Sequence, residues 1–470
     1  MINSIISAIG NNNSIYPLLV RDCGIEVPTK VYKTYKQNSA QKDIAYYATR
    51  ERIIDEYATS AVWLGGIPLI GKICDKIIEK KGFSSKVSIK LLQAEDNLKA
   101  IDEKISKLTP ENVTEELKAQ REKAYQQSLS GNIEKFSKIS GAESVVNDLI
   151  KIKDNPALFK KLQAGKFFAE MALPIALMGF IIPKAVYAMT AASRKKRENL
   201  FKQQTEKTIS FGGMDEFMKK SQNVSFGSNL TAQLCNFSTV QKMAITDGGY
   251  AVGRVATARK KRGAVDIAFK MGGMLYLNFV APKQIEKLLS ATSKSLFNLD
   301  VNLDPIILGD KEFIAQINNQ TLRLPKSNSL EDMLEFVDNK ENAETLFVRY
   351  AKKLRKISML KDGIRDPRAF VDEEKLGALR DNMENFMKNM TAIKEKALEK
   401  ASALKMSDTE KSEAVLKYVK KFANKARAAK TFNIISNVAL SSYLLACVLP
   451  DAQYFFREKV LGTKLEPDLL

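Results

Sequence analysis

Apolar residues recur along most of the chain at the spacing of an α-helix, which predicts a mainly α-helical protein. In the clearest run they alternate four and three residues apart, as in the seam between two packed helices. Its members are Val87, Leu91, Ala94, Leu98, Ile101, Ile105 and Leu108. The stretch Thr109-Pro110-Glu111 is typical of a helix start, because Thr caps helices and Pro suits the first turn. We therefore predict a helical hairpin at about residues 84–129.

A second long seam lies nearer the end of the sequence and predicts another helical hairpin. Its members are Leu376, Leu379, Met383, Phe386, Met390, Ile393, Ala397, Ala401 and Leu404. Ser407-Asp-Thr-Glu410 then has the pattern of a capping box, so we expect a new helix to start there. This helix continues through Val415, Val419 and Phe422 into an apolar stretch. Both seams can close within one chain or between two chains, and the sequence leaves both arrangements open.

One region departs from the helical rhythm. Between residues 305 and 324, short β-prone runs are separated by Gly, Asp and Asn, which predicts a small three-stranded β meander. This region and the changes of composition around it suggest five parts. They are an irregular segment at 1–40, a helical region at 41–165, an apolar and basic helical region at 166–295, the β element at 296–328, and a C-terminal helical hairpin with an apolar end at 329–470.

Four stretches lack charged residues, at 58–71, 171–183, 271–282 and 431–450. Three of them end in Pro followed by a charged residue, at Pro183, Pro282 and Pro450, which is typical of a helix stop. A membrane-spanning helix needs about 20 apolar residues. The fourth stretch has that length, and the second attains it by continuing to Thr190. We expect these two to insert into a membrane, and the other two to form buried, re-entrant or interfacial helices.

The formal net charge of +20 at pH 7 predicts polyanionic neighbours, such as an anionic membrane face or nucleic acid. Basic residues flank both ends of most apolar stretches, so a simple four-span topology does not satisfy the positive-inside rule. We also expect Asp247 to cap a helix that starts there, close to the second Arg-Lys-Lys-Arg tetrad. The residues predicted to bind anionic lipid or another polyanion are Arg194, Lys195, Lys196, Arg197, Arg254, Arg259, Lys260, Lys261 and Arg262.

The chain contains no histidine, which excludes Ser-His-Asp and Cys-His catalysis and histidine-liganded zinc. Its four cysteines are far apart and form no C-x-x-C pair, so we interpret them as free thiols in a reducing compartment. The first residues lack a basic stretch, which predicts no cleavable signal peptide and places the bulk of the chain in the cytoplasm. We predict no catalytic residue, no metal site and no cofactor.

Two short motifs resemble known signatures. Gly66-x-x-x-x-Gly71-Lys72 resembles a Walker A phosphate-binding loop, but Ile73 stands where that loop needs Ser or Thr to bind magnesium. Residues 212–217 resemble the GGDEF signature of diguanylate cyclases, with a methionine interrupting it. We interpret the first motif as the bend or end of an apolar helix, with Lys72 at its polar boundary.

These observations predict a non-enzymatic, membrane-associated structural or interaction protein. Its apolar segments would be inserted, and its basic clusters would face anionic lipid. The alternative is a soluble helical protein that binds nucleic acid or a protein partner through its basic surface. Nucleic-acid binding would then be nonspecific, because no recognition motif accompanies the basic residues. Self-association through the helical seams is also open.

Overall fold

The computed structural model describes residues 19–201, 239–297, 302–403 and 407–469, and it is mostly helical. The described α-helices are α1 (Val27–Asn38), α2 (Lys42–Ala61), α3 (Ile67–Lys80), α4 (Ile89–Ser106), α5 (Glu115–Gln127), α6 (Leu129–Ser137), α7 (Glu143–Asp154), α8 (Pro156–Ala176), α9 (Ile182–Phe201), α10 (Thr239–Ala256), α11 (Lys261–Phe279), α12 (Ala281–Phe297), α13 (Pro305–Leu308), α14 (Lys311–Asn318), α15 (Leu330–Asp338), α16 (Leu346–Lys353), α17 (Glu373–Ala403), α18 (Asp408–Tyr443) and α19 (Leu449–Phe456). In π-helical turns, each N–H bonds the carbonyl five residues back. Such turns lie at Leu19–Glu26, Val62–Gly66, Leu177–Ile181, Leu444–Val448 and Arg457–Leu461. Short 3-10 turns lie at Pro110–Asn112 and Lys340–Asn342.

The chain divides into two compact units, each made of segments that are distant in sequence. The described part of unit 1 consists of Ile77–Lys161 and Ile285–Asn437. Unit 2 consists of the described parts of Asn13–Lys76, Leu162–Gln284 and Val438–Leu470. Each unit is described separately below.

Unit 1 has an ordinary apolar core, in which the second seam takes part. Leu376, Met383 and Met390 of α17 are buried in one large cluster with side chains from α13 to α16 and from α18. The Phe386 and Phe422 rings stack there, with their centroids 5.7 Å apart. The predicted capping box also forms, because the Ser407 Oγ hydroxyl and N–H both donate to the Glu410 carboxylate, at 2.7 and 2.8 Å. The prediction of packed helices from this seam is confirmed.

The first seam packs α4 against α5, also in unit 1. Leu98 and Ile101 are buried together with Ala124. However, α5 starts after Thr114, whose side chain accepts a hydrogen bond from the Leu117 N–H at 3.2 Å. The predicted start near Pro110 is a 3-10 turn instead, so the hairpin is confirmed and its internal boundary was placed too early.

The predicted β meander at 305–324 is wrong, because the described chain has helices α13 and α14 there and contains no strand. The side chains of Asp304 and Asp310 each accept a hydrogen bond from the N–H two residues later, at 2.8 and 2.9 Å. These residues are therefore helix N-caps, although in sequence they look like turn residues between strands. Phe313 and Ile317, one helical turn apart, are both buried in the core.

The prediction that Pro183 and Pro450 end helices is also wrong. A π turn and one further residue precede each of these prolines and Pro68, and the helix continues beyond them. Proline has no N–H and clashes with the carbonyl four residues back. The wider π turn relieves this clash, since its hydrogen bonds reach the carbonyl five residues back. Pro282 differs, because it lies just after a 40° bend between α11 and α12.

Candidate polar site in unit 2

Unit 2 has a distribution of side chains unlike that of unit 1. Of the twenty polar or charged residues that are buried in the described chain, five belong to unit 1, which leaves fifteen in unit 2. Of the thirty-two large hydrophobic residues that are exposed, ten belong to unit 1 and twenty-two to unit 2. Helix α10 shows this clearly, since it exposes Ile245 and Val252 and buries Asp247 and Arg254. Water-soluble domains usually have the opposite arrangement.

The helix break at Pro183 lies against α10 and the residue that follows it. The carbonyl of Gly179, four residues before the proline, lacks its usual donor within the helix. The Thr257 hydroxyl lies 3.3 Å from that oxygen, and the Gly253 and Arg254 carbonyls of α10 are nearer acceptors for its single proton, at 3.0 and 3.2 Å. A Cβ atom on Gly253 would lie 2.8 Å from the Gly179 Cα, so the two backbones are in direct contact. The two glycines thus allow α10 to lie directly against the helix break at Pro183.

The break at Pro450 has a charged partner from α1. Lys33 Nζ donates to the Cys447 carbonyl at 2.9 Å and to Asp451 Oδ2 at 2.6 Å. Cys447 lies in the π turn, and Asp451 follows the proline. One lysine therefore binds residues on both sides of Pro450, although the carbonyl four residues before this proline belongs to Ala446 and not to Cys447.

Three cations surround the Glu56 carboxylate inside unit 2. Arg52 Nη1, Lys270 Nζ and Lys30 Nζ lie 3.0, 3.2 and 3.7 Å from its oxygens. Lys30 also pairs with Glu26. Buried charges are tolerated only when they are paired and hydrogen-bonded, so this cluster fixes α1, α2 and α11 relative to one another.

Arg457 links a second group of buried charges. Its Nε and Nη2 donate to the two oxygens of Asp266, both at 2.7 Å, and Gln453 adds a hydrogen bond of 2.7 Å to the same carboxylate. The other side of the guanidinium, Nη1 and Nη2, contacts Glu466 at 2.8 and 2.9 Å. A forked guanidinium bound on two sides is strong and directional. Arg457 thus joins α11 to the segment 463–469.

Two arginines that we expected to bind polyanions are engaged inside unit 2. Arg254 is buried and pairs with Asp55. Arg259 pairs with Glu51 and stacks over the Tyr187 ring, 3.9 Å from its centroid. Their charges are therefore directed towards internal carboxylates.

The other predicted polyanion-binding residues lie nearer the surface. Arg194 is half-buried and donates to the Leu469 carbonyl at 3.3 Å. Arg197 lies in α9, and its side chain is outside the described part of the structure. The exposed members are Lys195, Lys196, Lys260, Lys261 and Arg262. Their binding of lipid or another polyanion stays a prediction.

The charged groups surround a cavity of about 70 Å³. Both carboxylates and cations line it, and Arg254, Asp266, Lys270, Glu466 and Asp468 are among them. A water molecule needs roughly 10–15 Å³ on this measure, so the cavity accommodates a few waters or a small ion. It is too small for a nucleotide.

The segment 463–469 has no regular secondary structure and lies against several helices of unit 2. Leu469 is buried among Ile44, Tyr47 and Ala48. The Glu466 N–H donates to the Asn38 side chain at 2.9 Å. Burial disfavours the ionised Glu466 carboxylate, but nearby arginines outweigh this effect and hold its pKa below the usual range.

Asp468 is bound less tightly than Glu466. Its carboxylate accepts long hydrogen bonds from the backbone N–H groups of Arg259 and Lys260, at 3.4 and 3.3 Å, just before α11. The Tyr187 hydroxyl lies 3.5 Å away. Burial raises the pKa of Asp468, and the negative charge of Glu466 raises it further. The surroundings of Asp468 therefore stabilise its ionised form less than those of Glu466 stabilise the Glu466 carboxylate.

Sequence reasoning missed most of this site, including Glu56, Asp266, Arg457 and Glu466. One signal was available in α1 and the turn before it, where polar residues recur every four positions. Glu26, Lys30, Thr34 and Asn38 form this stripe, and all are buried. A polar stripe beside exposed tyrosines is the reverse of an ordinary amphipathic helix.

The short motifs have structural explanations. Gly66 ends a π turn and Gly71 and Lys72 lie within α3, so the Walker-like stretch is helical and forms no loop around a phosphate. Asp247 lies inside α10, which starts at Thr239, so the prediction that Asp247 caps a helix is wrong. The GGDEF-like residues 212–217 lie outside the described residues. Cys23, Cys74 and Cys447 are free thiols.

Two helices of the described chain are long and apolar enough to cross a membrane. They are Pro156–Lys196 and Thr409–Leu461, and they contain the two stretches that we expected to insert. Only 33% and 28% of their most apolar 18-residue windows are buried. The pair Lys261–Phe279 and Ala281–Thr292 has the required length and composition only when taken together, across its 40° bend.

Comparisons of the chain with family models, curated proteins and solved structures found no match. In the described ranges, no group of three or more Cys, Asp or Glu side chains is placed to hold a metal ion.

Proposed function

We propose that the protein is a non-enzymatic, membrane-associated structural or interaction protein. The inserted helices are Pro156–Lys196 and Thr409–Leu461, and unit 2, which contains most of the first and the part of the second after residue 437, provides the attachment. The observation that carries this proposal is the inverted distribution of side chains in unit 2, which buries charge and exposes apolar residues.

The apolar outer surface of unit 2 would be unfavourable in water. Each Å² of apolar surface left in water forgoes about 25 cal/mol, and soluble monomers rarely expose large contiguous apolar patches. Most of the two apolar windows is uncovered by the rest of the chain. Lipid tails would cover them without requiring a partner protein.

The interior of unit 2 is compatible with the same environment. Ionisable side chains in a membrane face the interior of a bundle and pair with one another. The groups around Glu56 and Arg457 have this arrangement. The proline breaks also contact Thr257 and Lys33, which come from other parts of the chain.

The exposed basic residues supply an electrostatic contribution. Lys195 and Lys196 lie at the end of one candidate span, and Lys261 and Arg262 lie at the start of the bent pair. A Lys or Arg near an anionic leaflet contributes roughly 1 kcal/mol. These residues would therefore face the cytoplasmic leaflet, which is rich in anionic lipid.

The second candidate function is a soluble helical protein that binds nucleic acid or a protein partner. The observation in its favour is unit 1, whose core is as apolar as that of a water-soluble domain. Together with the net charge of +20, this unit is suited to a polyanionic or protein partner in water.

Fractionation of the full chain tests the proposal. We expect the protein in the membrane pellet, resistant both to high salt and to alkaline carbonate, because apolar insertion does not depend on charge. Release by carbonate or salt would reject insertion of the two helices. Recovery in the soluble fraction would reject membrane association and favour the second candidate function.

A further inference from the structure

The segment 463–469 places two carboxylates against a guanidinium and backbone N–H groups of unit 2. Its two carboxylates contact groups that commonly bind free carboxylates and phosphates. These groups are the Arg457 fork and the backbone N–H groups that precede α11. The segment itself has no helical structure and is anchored by a few side chains.

The charge balance of the buried network changes with this segment. Outside it, the network has six cationic side chains and five carboxylates. The cations are Lys30, Arg52, Arg254, Arg259, Lys270 and Arg457, and the carboxylates are Glu26, Glu51, Asp55, Glu56 and Asp266. Glu466 and Asp468 bring the carboxylates to seven. Without the segment, the buried network that it contacts has one more cationic side chain than carboxylates, and this positive charge favours an anion.

An unused hydrogen-bond donor lies in the same cavity. Arg254 is only 6% exposed and lines the cavity, and its buried Nε–H has no hydrogen-bond partner. A buried donor without a partner costs about 1–3 kcal/mol. The segment therefore leaves part of the binding capacity of its surroundings unused.

We propose that the seat of the segment 463–469 is a binding site for a phosphate-bearing anion, and that Glu466 and Asp468 act as an internal competitor. The phosphate oxygens would take the Arg457 fork, the N–H groups before α11 and the Arg254 Nε–H. Phosphate concentrates its acceptor oxygens and up to about two negative charges in one group, whereas the segment divides the same charge between two carboxylates. The site does not depend on membrane insertion, and its ligand is either a free phosphate or a lipid headgroup.

The first measurement is a calorimetric titration of the purified full chain with inorganic phosphate. We compare the wild type with the double variant Glu466→Gln/Asp468→Asn, in which the competing charges are removed without loss of volume. The double variant should bind phosphate at least about tenfold more tightly, which corresponds to about 1.4 kcal/mol. The control Asp154→Asn/Glu335→Gln removes the same charge from exposed positions of unit 1 and should leave phosphate affinity unchanged. Equal affinities in all three proteins would overturn the proposal.

The second measurement uses hydrogen–deuterium exchange and needs only the wild type, so it remains informative if the double variant does not fold. Saturating phosphate should accelerate exchange in 463–469, because the Glu466 N–H loses its bond to Asn38. Vesicles of phosphatidylcholine with phosphatidic acid, compared with phosphatidylcholine alone, form the lipid arm. A response to free phosphate identifies a soluble ligand, and a response confined to phosphatidic acid identifies a headgroup. No change with either probe would contradict the proposal, whereas the fractionation result is independent of it.

Discussion

Gly253 lies where α10 meets the broken helix, in direct contact with the Gly179 backbone. We expect Gly253→Ala to destabilise unit 2 by about 1–3 kcal/mol, because the new methyl group would meet backbone that cannot move aside. Gly248, on the same helix, has no neighbour within 4 Å of an added Cβ. Gly248→Ala should therefore leave stability unchanged or raise it by up to about 1 kcal/mol.

Thermal unfolding of the full chain in detergent, followed by circular dichroism, checks this pair of variants. A lower midpoint for Gly253→Ala alone is the expected result. Similar midpoints for the two variants would show that the crossing is looser than the structure indicates.

At this scale the sequence shows which residues are charged but gives no information on their partners. Arg254 and Lys260 look alike in the sequence, and both were expected at a polyanion. Arg254 pairs with Asp55, 199 positions away in the chain, whereas Lys260 is exposed. Such a pairing depends on tertiary structure, so local patterns do not reveal it.

Among the elements, the break at Pro450 depends on one side chain from another helix. We expect Lys33→Met to destabilise the break by about 1–3 kcal/mol, since it removes the hydrogen bond to the Cys447 carbonyl and the ion pair with Asp451. Lys36→Met, at an exposed position of the same helix, is the matched control. Faster amide exchange across 444–456 in Lys33→Met, and no change in the control, would support this role. Unchanged exchange in both variants would refute it.

The helices themselves were largely predictable, because their apolar spacing is a local property. The seams in α4 and α17 and the capping box at Ser407 were found in this way. The β meander was wrong because Asp304 and Asp310 have the same sequence appearance as turn residues and as helix caps. The prolines were misread because the π turns before them, and the contacts that these turns make with distant residues such as Lys33, are features of the tertiary structure.

For the whole molecule, the inverted surface of unit 2 can be tested with single charges. Leu173 is 48% exposed on α8, within the candidate span Pro156–Lys196, and Leu398 is 38% exposed on α17 of unit 1. A lysine at a lipid-facing position costs about 2.5–3.5 kcal/mol near the membrane centre. We expect Leu173→Lys to reduce the carbonate-resistant fraction, and Leu398→Lys to leave it unchanged. Equal behaviour would mean that this face of α8 does not contact lipid.

The grouping of segments into units was beyond sequence reasoning. Unit 2 is assembled from three stretches, which are separated in sequence by residues 77–161 and 285–437 of unit 1. Its polar interior is visible only after those stretches are brought together. The exposed apolar surface of unit 2 and the candidate polar site could therefore be recognised only from the three-dimensional structure.

The π turns also make the exact length of these helices important. A π turn holds one residue more than an α turn, and each residue turns the helix by about 100°. The additional residue in Leu177–Ile181 therefore decides which side chains of α9 point inwards, and Val186 and Tyr187 line the cavity as a result. A single-residue deletion in this turn would rotate these side chains by about 100° and return the Pro183 ring to a clash with the carbonyl four residues back. At these breaks the number of residues carries structural information that composition alone does not.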